Sequence, residues 1–183
     1  VISTAEIANA PELNPAITPD KFQRIIEEKY SADIMFLIQQ ANLRSEQLKS
    51  EQMNALHNEI KAATEAPNKE LTNINVASYA SPDGGVKLNT TLAENREKNT
   101  VNYMKKSLKK GKIDADMTAE FTAQDWEGFK ELVSKSNIQD KELILNVLSM
   151  YSDPEQRERE IKNMSSVFKV LAEEILPQLR YSR

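Results

Sequence analysis

The sequence predicts an α/β protein, in which a β-α-β-α-β core is followed by several further helices. Residues 32–39, 74–79 and 117–123 are dense in apolar residues or alternate apolar with polar residues, which indicates strands. Between them, residues 45–64 and about 90–109 repeat apolar positions at helical spacing. The content of 39% hydrophobic and 28% charged residues is typical of a soluble globular protein.

Composition excludes several classes of function. The net charge of -4 argues against nucleic acid as a partner, because phosphate tracking needs clustered Lys and Arg. The chain has no cysteine, so thiolate catalysis and thiolate metal sites are excluded. No apolar run approaches the roughly 20 residues of a membrane span, so we expect no direct membrane insertion. Because residue 1 is Val and no leader is visible, we expect a piece from which any export signal or lipid anchor was removed.

The first 20 residues have the composition of a linker or of the end of an upstream region. They carry prolines at 11, 15 and 19, which favour extended or irregular backbone. Thr18 and Pro19 are typical of a helix start, so a short helix is predicted to run through Glu28, with its inward face formed by Phe22, Ile25 and Ile26. The domain itself is predicted to occupy residues 21–183.

The first part of the core reads as strand, helix, strand, turn and helix. The first strand is placed at 32–39, and the amphipathic helix at 45–64 ends before Pro67. The second strand leads into the turn 81–85, Ser-Pro-Asp-Gly-Gly. In the next helix the predicted core stripe contains Ala93, Thr100, Val101, Met104 and Leu108.

The second part consists of one strand and a long helical stretch. The strand at 117–123 completes the core. Asp125 is predicted to cap a helix, residues 139–151 form another, and Pro154 begins a last segment with apolar spacing through Leu176. Residues 179–183 are predicted to start a fourth strand that the chain cuts short.

The segment from Tyr79 to Gly84, with Asn89, Leu92 and Arg96 after it, resembles the ligand loop and following helix of the OmpA C-terminal family. That family's pattern is Y-T-D-x-x-G, N-x-x-L-S and R-A, and the spacing matches without a gap. Upstream, residues 32–36 with Ala41 and Leu43 are similar to its first strand and turn. The resemblance covers residues 32–123, and 124–178 would be a helical insertion. It implies an α+β two-layer sandwich with helices on one sheet face.

The resemblance also implies a site for the peptidoglycan stem peptide, chiefly its diaminopimelate. Carboxylate and guanidinium groups facing each other suit such a zwitterion. Arg96 stands at the family's Arg position, whereas Ser81 replaces its Asp and Leu37 replaces an acid at the end of the first strand. Asp83 is the candidate replacement, because residues two apart in extended backbone point to one side. The candidate ligand residues are Arg96, Asp83, Ser81, Asn89 and Leu92.

Each of these residues also has a structural interpretation. Arg96 lies about 60° off the predicted core stripe and could simply pair with an acid or a backbone carbonyl. Asn89 could be a helix cap. His57 has no partner at triad or metal spacing, the turn lacks a phosphate-loop pattern, and the aromatic residues at 126, 129 and 151 sit at core positions.

Two functions follow as hypotheses, and neither involves a catalytic residue, a metal or another cofactor. In the first, the domain anchors an outer-membrane or periplasmic protein to peptidoglycan, at the periplasmic face of the outer membrane of a Gram-negative bacterium. In the second, the fold has lost glycan binding, and the helical insertion at 124–178 contacts a protein partner or serves as a scaffold. No nucleophile, base and orienting group converge in the sequence, so an enzyme is not predicted.

Overall fold

The computed structural model describes residues 25–183 and contains a four-stranded mixed sheet. The strand order is β1-β4-β2-β3. β2 and β3 are parallel, and β4 is antiparallel to both β1 and β2. The strands are β1 (Ile34–Met35), β2 (Ile74–Tyr79), β3 (Met117–Thr122) and β4 (Tyr181–Ser182).

Seven α-helices lie within the described residues, and a short 3-10 helix leads into β4. α1 and α2 connect β1 to β2, and α3 connects β2 to β3. Four helices then precede β4. The bounds are α1 (Ser45–Leu48), α2 (Glu51–Glu65), α3 (Val86–Gly111), α4 (Trp126–Lys135), α5 (Lys141–Met150), α6 (Pro154–Asn163), α7 (Ser165–Glu174) and the 3-10 helix (Leu176–Leu179).

The predicted α+β two-layer architecture is confirmed. Ile34 of β1 is buried in a cluster with Met53 and Ile60 of α2 and Met104 of α3, so these helices cover one sheet face. The opposite face carries polar and aromatic side chains. On it Tyr79 stacks on Tyr181 with ring centroids 4.6 Å apart.

A second hydrophobic cluster lies within the helices that follow β3. Phe129 and Val133 of α4 pack with Ile144 of α5 and Leu171 of α7, and all four are essentially buried. The aromatic residues Trp126 and Phe129 are therefore core residues, as their periodicity predicted. The helical stretch has an apolar core of its own beside the sheet.

The first strand is shorter than the sequence predicted. Only Ile34 and Met35 are in a strand, and the backbone N–H of Phe36 still bonds to the carbonyl of Arg180 at 2.7 Å. After that the chain turns, and Gln39 adopts a left-handed φ of 54°. The prediction of a strand through residue 39 was wrong because β4, its hydrogen-bonding neighbour, is only two residues long.

Three other predicted helix boundaries need correction. The helix predicted at 45–64 is two helices, because the Ser50 hydroxyl accepts the Met53 N–H at 3.3 Å and starts α2 anew. α3 begins at Val86, four residues earlier than predicted. Residues 25–28 are not helical and Ile25 is 96% exposed, so the short helix predicted there is wrong within the described residues. Its remainder and the 1–20 linker lie outside them.

Asp125 caps α4 as predicted, since its Oδ1 accepts the Gly128 N–H at 2.8 Å. Burial raises the pKa of this carboxyl above its usual 3.8. The cap bond from Gly128 lowers the pKa, but its effect is smaller than that of burial. A folded-state pKa above the unfolded value means that the ionised side chain costs stability. That cost is present at neutral pH and disappears as pH falls through the folded pKa.

We therefore expect Asp125→Asn to raise the melting temperature slightly at pH 7, because asparagine caps equally well and carries no charge. The gain should shrink as the pH is lowered toward 3.8, because the folded pKa lies above that value. Thermal unfolding from pH 3 to 7 measures it. Asp153→Asn, at the exposed cap of α6, is the matched control for cap chemistry. A variant less stable than wild type at pH 7 would contradict the expectation.

Candidate functional site

All five candidate ligand residues line one cavity of about 90 Å³. This loop cavity lies between the loop 80–85, the first three turns of α3 and the backbone that follows β1. One water needs about 10 to 15 Å³ in the same measure, so the cavity has room for several waters or a small charged group. The residues that the structure brings together here are Ser81, Asp83, Asn89, Leu92 and Arg96, with Arg180 beside them.

The loop is held in place by side-chain amides. The Asn89 amide donates to the carbonyls of Ser81 and Gly84, at 2.9 and 2.8 Å. Gln124 donates to the Gly84 carbonyl as well, at 2.8 Å. A side chain at Gly84 would displace the Asn89 amide, because a Cβ would lie 2.9 Å from Asn89 Oδ1. The interpretation of Asn89 as a helix cap is wrong, since Gly85 precedes the first helical residue and Asn89 fixes the loop instead.

Asp83 lies on the same side of the loop as Ser81, whose hydroxyl donates to Asp83 Oδ1. The other carboxylate oxygen, Oδ2, accepts from Arg180 Nη2 at 3.2 Å. Arg180 also donates from Nε to the Ser81 hydroxyl at 3.1 Å. The Asp83 carboxylate therefore lies beside Ser81, but as one half of an internal ion pair.

Arg96 is buried, with 1% of its surface exposed, and its guanidinium is hydrogen-bonded to backbone carbonyls. Nε, Nη1 and Nη2 donate to the carbonyls of Gln40, Tyr79 and Leu37, at 3.0, 2.8 and 3.4 Å. Burial, and then the charge of Arg180, lower its pKa to about 10. Arg96 thus remains a cation at neutral pH and joins the ends of β1 and β2 to α3.

Arg96 also corrects the predicted stripe of α3. On a helical wheel Arg96 falls at the margin of the stripe, whereas in the structure Arg96 is buried together with Asn89, Ala93, Thr100 and Met104. Val101, which was predicted to be in the stripe, is only partly buried. The long Arg side chain reaches from the edge of the helix face under the strand ends, which a wheel of Cα positions does not capture.

The mouth of the loop cavity is apolar. Ile38 and Leu88 both line the cavity and are 56% and 46% exposed. Leu37 is itself exposed and contributes only its carbonyl to Arg96. The cavity therefore combines a charged floor with an aliphatic rim.

Two residues of this site were missed from the sequence. Arg180 precedes the short strand β4, and only the insertion of β4 between β1 and β2 brings it against the loop. Gln124 reaches the loop because the backbone N–H of Asp125 bonds to the carbonyl of Ala80 at 3.1 Å. The one available signal was the strand predicted at 179–183, which contains Arg180.

The remaining polar candidates have structural partners. His57 Nε2 lies 3.1 Å from the Ser107 hydroxyl, and its ring packs edge-on against Tyr103. Across residues 25–183, no three acidic or histidine side chains are grouped as metal ligands. In that same part of the chain, none of the helices has the length and apolarity to cross a membrane.

Comparison of the chain with protein-family models, with curated proteins and with solved structures found no match.

Proposed function

We propose that the chain is a non-catalytic module of the bacterial cell envelope that holds peptidoglycan by binding the stem-peptide diamino acid in the loop cavity. It would act at the periplasmic face of the outer membrane of a Gram-negative bacterium. The observation that carries this proposal is the convergence of the five candidate residues, from a turn and one face of α3, on one cavity with charges of both signs.

The chemistry of the cavity suits such a ligand. A diamino acid such as diaminopimelate ends in a zwitterion on a short aliphatic chain. The floor, with Arg96, Arg180 and Asp83, carries charge of both signs, which suits a zwitterion. The exposed Ile38 and Leu88 at the rim suit the methylene groups.

The loop is also fixed before a ligand arrives. Asn89 and Gln124 hold its carbonyls, and Arg180 holds Ser81 and Asp83. A site that is already ordered loses little conformational entropy on binding, which favours affinity for a small ligand. This rigidity supports recognition of a defined chemical group.

Filling the cavity mouth tests the proposal. Leu88→Trp places an indole over the mouth without touching the buried ion pair, and we expect retention on purified sacculi to fall at least about tenfold. The matched control is Val86→Trp, since Val86 is 38% exposed on the first turn of α3 and does not line the cavity. The measurement is the bound fraction in a sedimentation assay, with circular dichroism to confirm folding. Equal retention of wild type and Leu88→Trp would contradict the proposal.

A second function is favoured by a different observation. Asp83 is already neutralised by Arg180, and Leu143 and Met150 of α5 are 49% and 71% exposed, seven residues apart on one helix face. In this alternative the fold does not bind glycan, and the helical insertion contacts a protein partner. This alternative predicts that the wild-type chain is not retained on sacculi. The proposed function predicts that the wild-type chain is retained and that Leu143→Glu is retained equally well.

A further inference from the structure

One nitrogen of the Arg180 guanidinium is left for a further acceptor. Nε is bonded to the Ser81 hydroxyl and Nη2 to Asp83 Oδ2. Nη1 has no hydrogen-bond partner among residues 25–183. It is not fully buried, since it is not among the buried side-chain atoms that lack a partner in that part of the chain. Because Arg180 lines the loop cavity, Nη1 is the nitrogen of this guanidinium that remains for a molecule entering it.

Arg96, in contrast, has each of its three nitrogens bonded to a backbone carbonyl. It contributes positive charge at the cavity wall, but it is held by the fold. Its pKa of about 10 reflects burial and the nearby charge of Arg180, so the Arg96 guanidinium is still cationic at neutral pH.

The balance of charge favours an anion. Two guanidinium groups face one carboxylate, and both oxygens of Asp83 already accept hydrogen bonds, from Ser81 and from Arg180. A ligand ammonium would have to compete with Arg180 for Asp83. A ligand carboxylate meets an unpaired Arg N–H next to a second positive charge.

We infer that Arg180 is the residue that binds the ligand's carboxylate, through Nη1, and that Asp83 is a positioning residue that holds the Arg180 guanidinium. The inference rests on the proposed function and changes the role of Asp83, which the resemblance assigns to the ligand's amine. The ligand class is a carboxylate on a short aliphatic chain, with its amine outside the ion pair.

Modified ligands separate the two assignments. The probe is a soluble stem peptide that ends in diaminopimelate, in three forms: unmodified, with the free carboxylates of the diaminopimelate amidated, and with the free amine of the diaminopimelate acetylated. By isothermal titration calorimetry, amidation is expected to weaken binding about tenfold or more, because a charge-assisted hydrogen bond is lost. Acetylation is expected to weaken binding less than about threefold.

Variants then test which residue binds the carboxylate of the ligand. In Arg180→Gln the unmodified and amidated peptides should bind equally weakly, because the partner of the carboxylate is gone. In Asp83→Asn the discrimination against the amidated peptide should persist, whatever the absolute affinity. Arg183→Gln is the matched control, since Arg183 pairs with Asp33 at 2.7 Å on the opposite sheet face. If Arg180→Gln does not fold, the peptide forms and Asp83→Asn decide the question by themselves.

The contrary outcomes are distinct. If acetylation abolishes binding and Asp83→Asn removes the discrimination between the amine forms, Asp83 binds the amine, so this inference fails and the proposed function stands. If a folded Arg180→Gln still discriminates against the amidated peptide, the inference also fails. If wild type binds none of the three forms, the proposed function itself fails.

Discussion

Replacing Arg96 by methionine is expected to lower the free energy of unfolding by about 3 kcal/mol. The guanidinium donates to three backbone carbonyls, those of Leu37, Gln40 and Tyr79, and lies 5.0 Å from the Phe36 ring centroid. Its loss leaves part-buried carbonyls without this donor, at up to about 1–3 kcal/mol each. Relief of the desolvated charge offsets part of that cost.

Urea unfolding followed by circular dichroism measures this effect. Arg159→Met removes an arginine from the exposed side of α6 and should change stability by less than about 0.5 kcal/mol. Arg96→Lys should fall between the two, because one ammonium cannot reach three diverging carbonyls. If Arg96→Met is as stable as Arg159→Met, the guanidinium does not hold the strand ends together.

The same burial explains why Arg96 is a poor residue for a binding test. A variant that loosens the ends of β1 and β2 also moves the loop 80–85, since Arg96 bonds to the carbonyl of Tyr79 directly before that loop. Loss of ligand binding in an Arg96 variant would then show a disturbed fold, not a lost ligand contact. The exposed Leu88 at the mouth separates the two effects, because no buried hydrogen bond depends on it.

The regular elements of the fold were predictable because their signals are local. β2 is found at the residues predicted from its alternation, and Asp125 caps α4 through a bond only three residues away. Apolar periodicity also identified the core positions of Trp126 and Phe129. Such features depend on neighbours within one or two turns of the chain.

The site was only partly predictable because its decisive contacts are long-range. The Arg180 and Asp83 side chains are 97 residues apart, and Arg96 reaches carbonyls 56 and 59 residues before it. Sequence spacing placed Ser81 and Asp83 on one side of a loop, but it could not show that Asp83 is already paired. That depends on β4 lying between β1 and β2.

Replacing Phe129 by alanine is expected to have the largest effect on stability, about 3–5 kcal/mol, because its ring is 1% exposed in the helical cluster and a cavity would remain. The ring also packs edge-on against Trp126, with centroids 5.6 Å apart, so an aromatic pair is lost too. Leu143→Ala, at the exposed side of α5, is the matched control and should cost less than about 0.5 kcal/mol.

The unfolding curve of Phe129→Ala carries a second result. The helical cluster is joined to the sheet by Gln124 on Gly84, by the Asp125 N–H on Ala80 and by Arg180 on Asp83. With these links we expect one cooperative transition at lower urea, with the same dependence on urea concentration as wild type. Two separate transitions would mean that the helices unfold independently of the sheet. The loop 80–85 would then still bind its ligand after the helical cluster has unfolded. That result would contradict the inference that Arg180 binds the ligand's carboxylate.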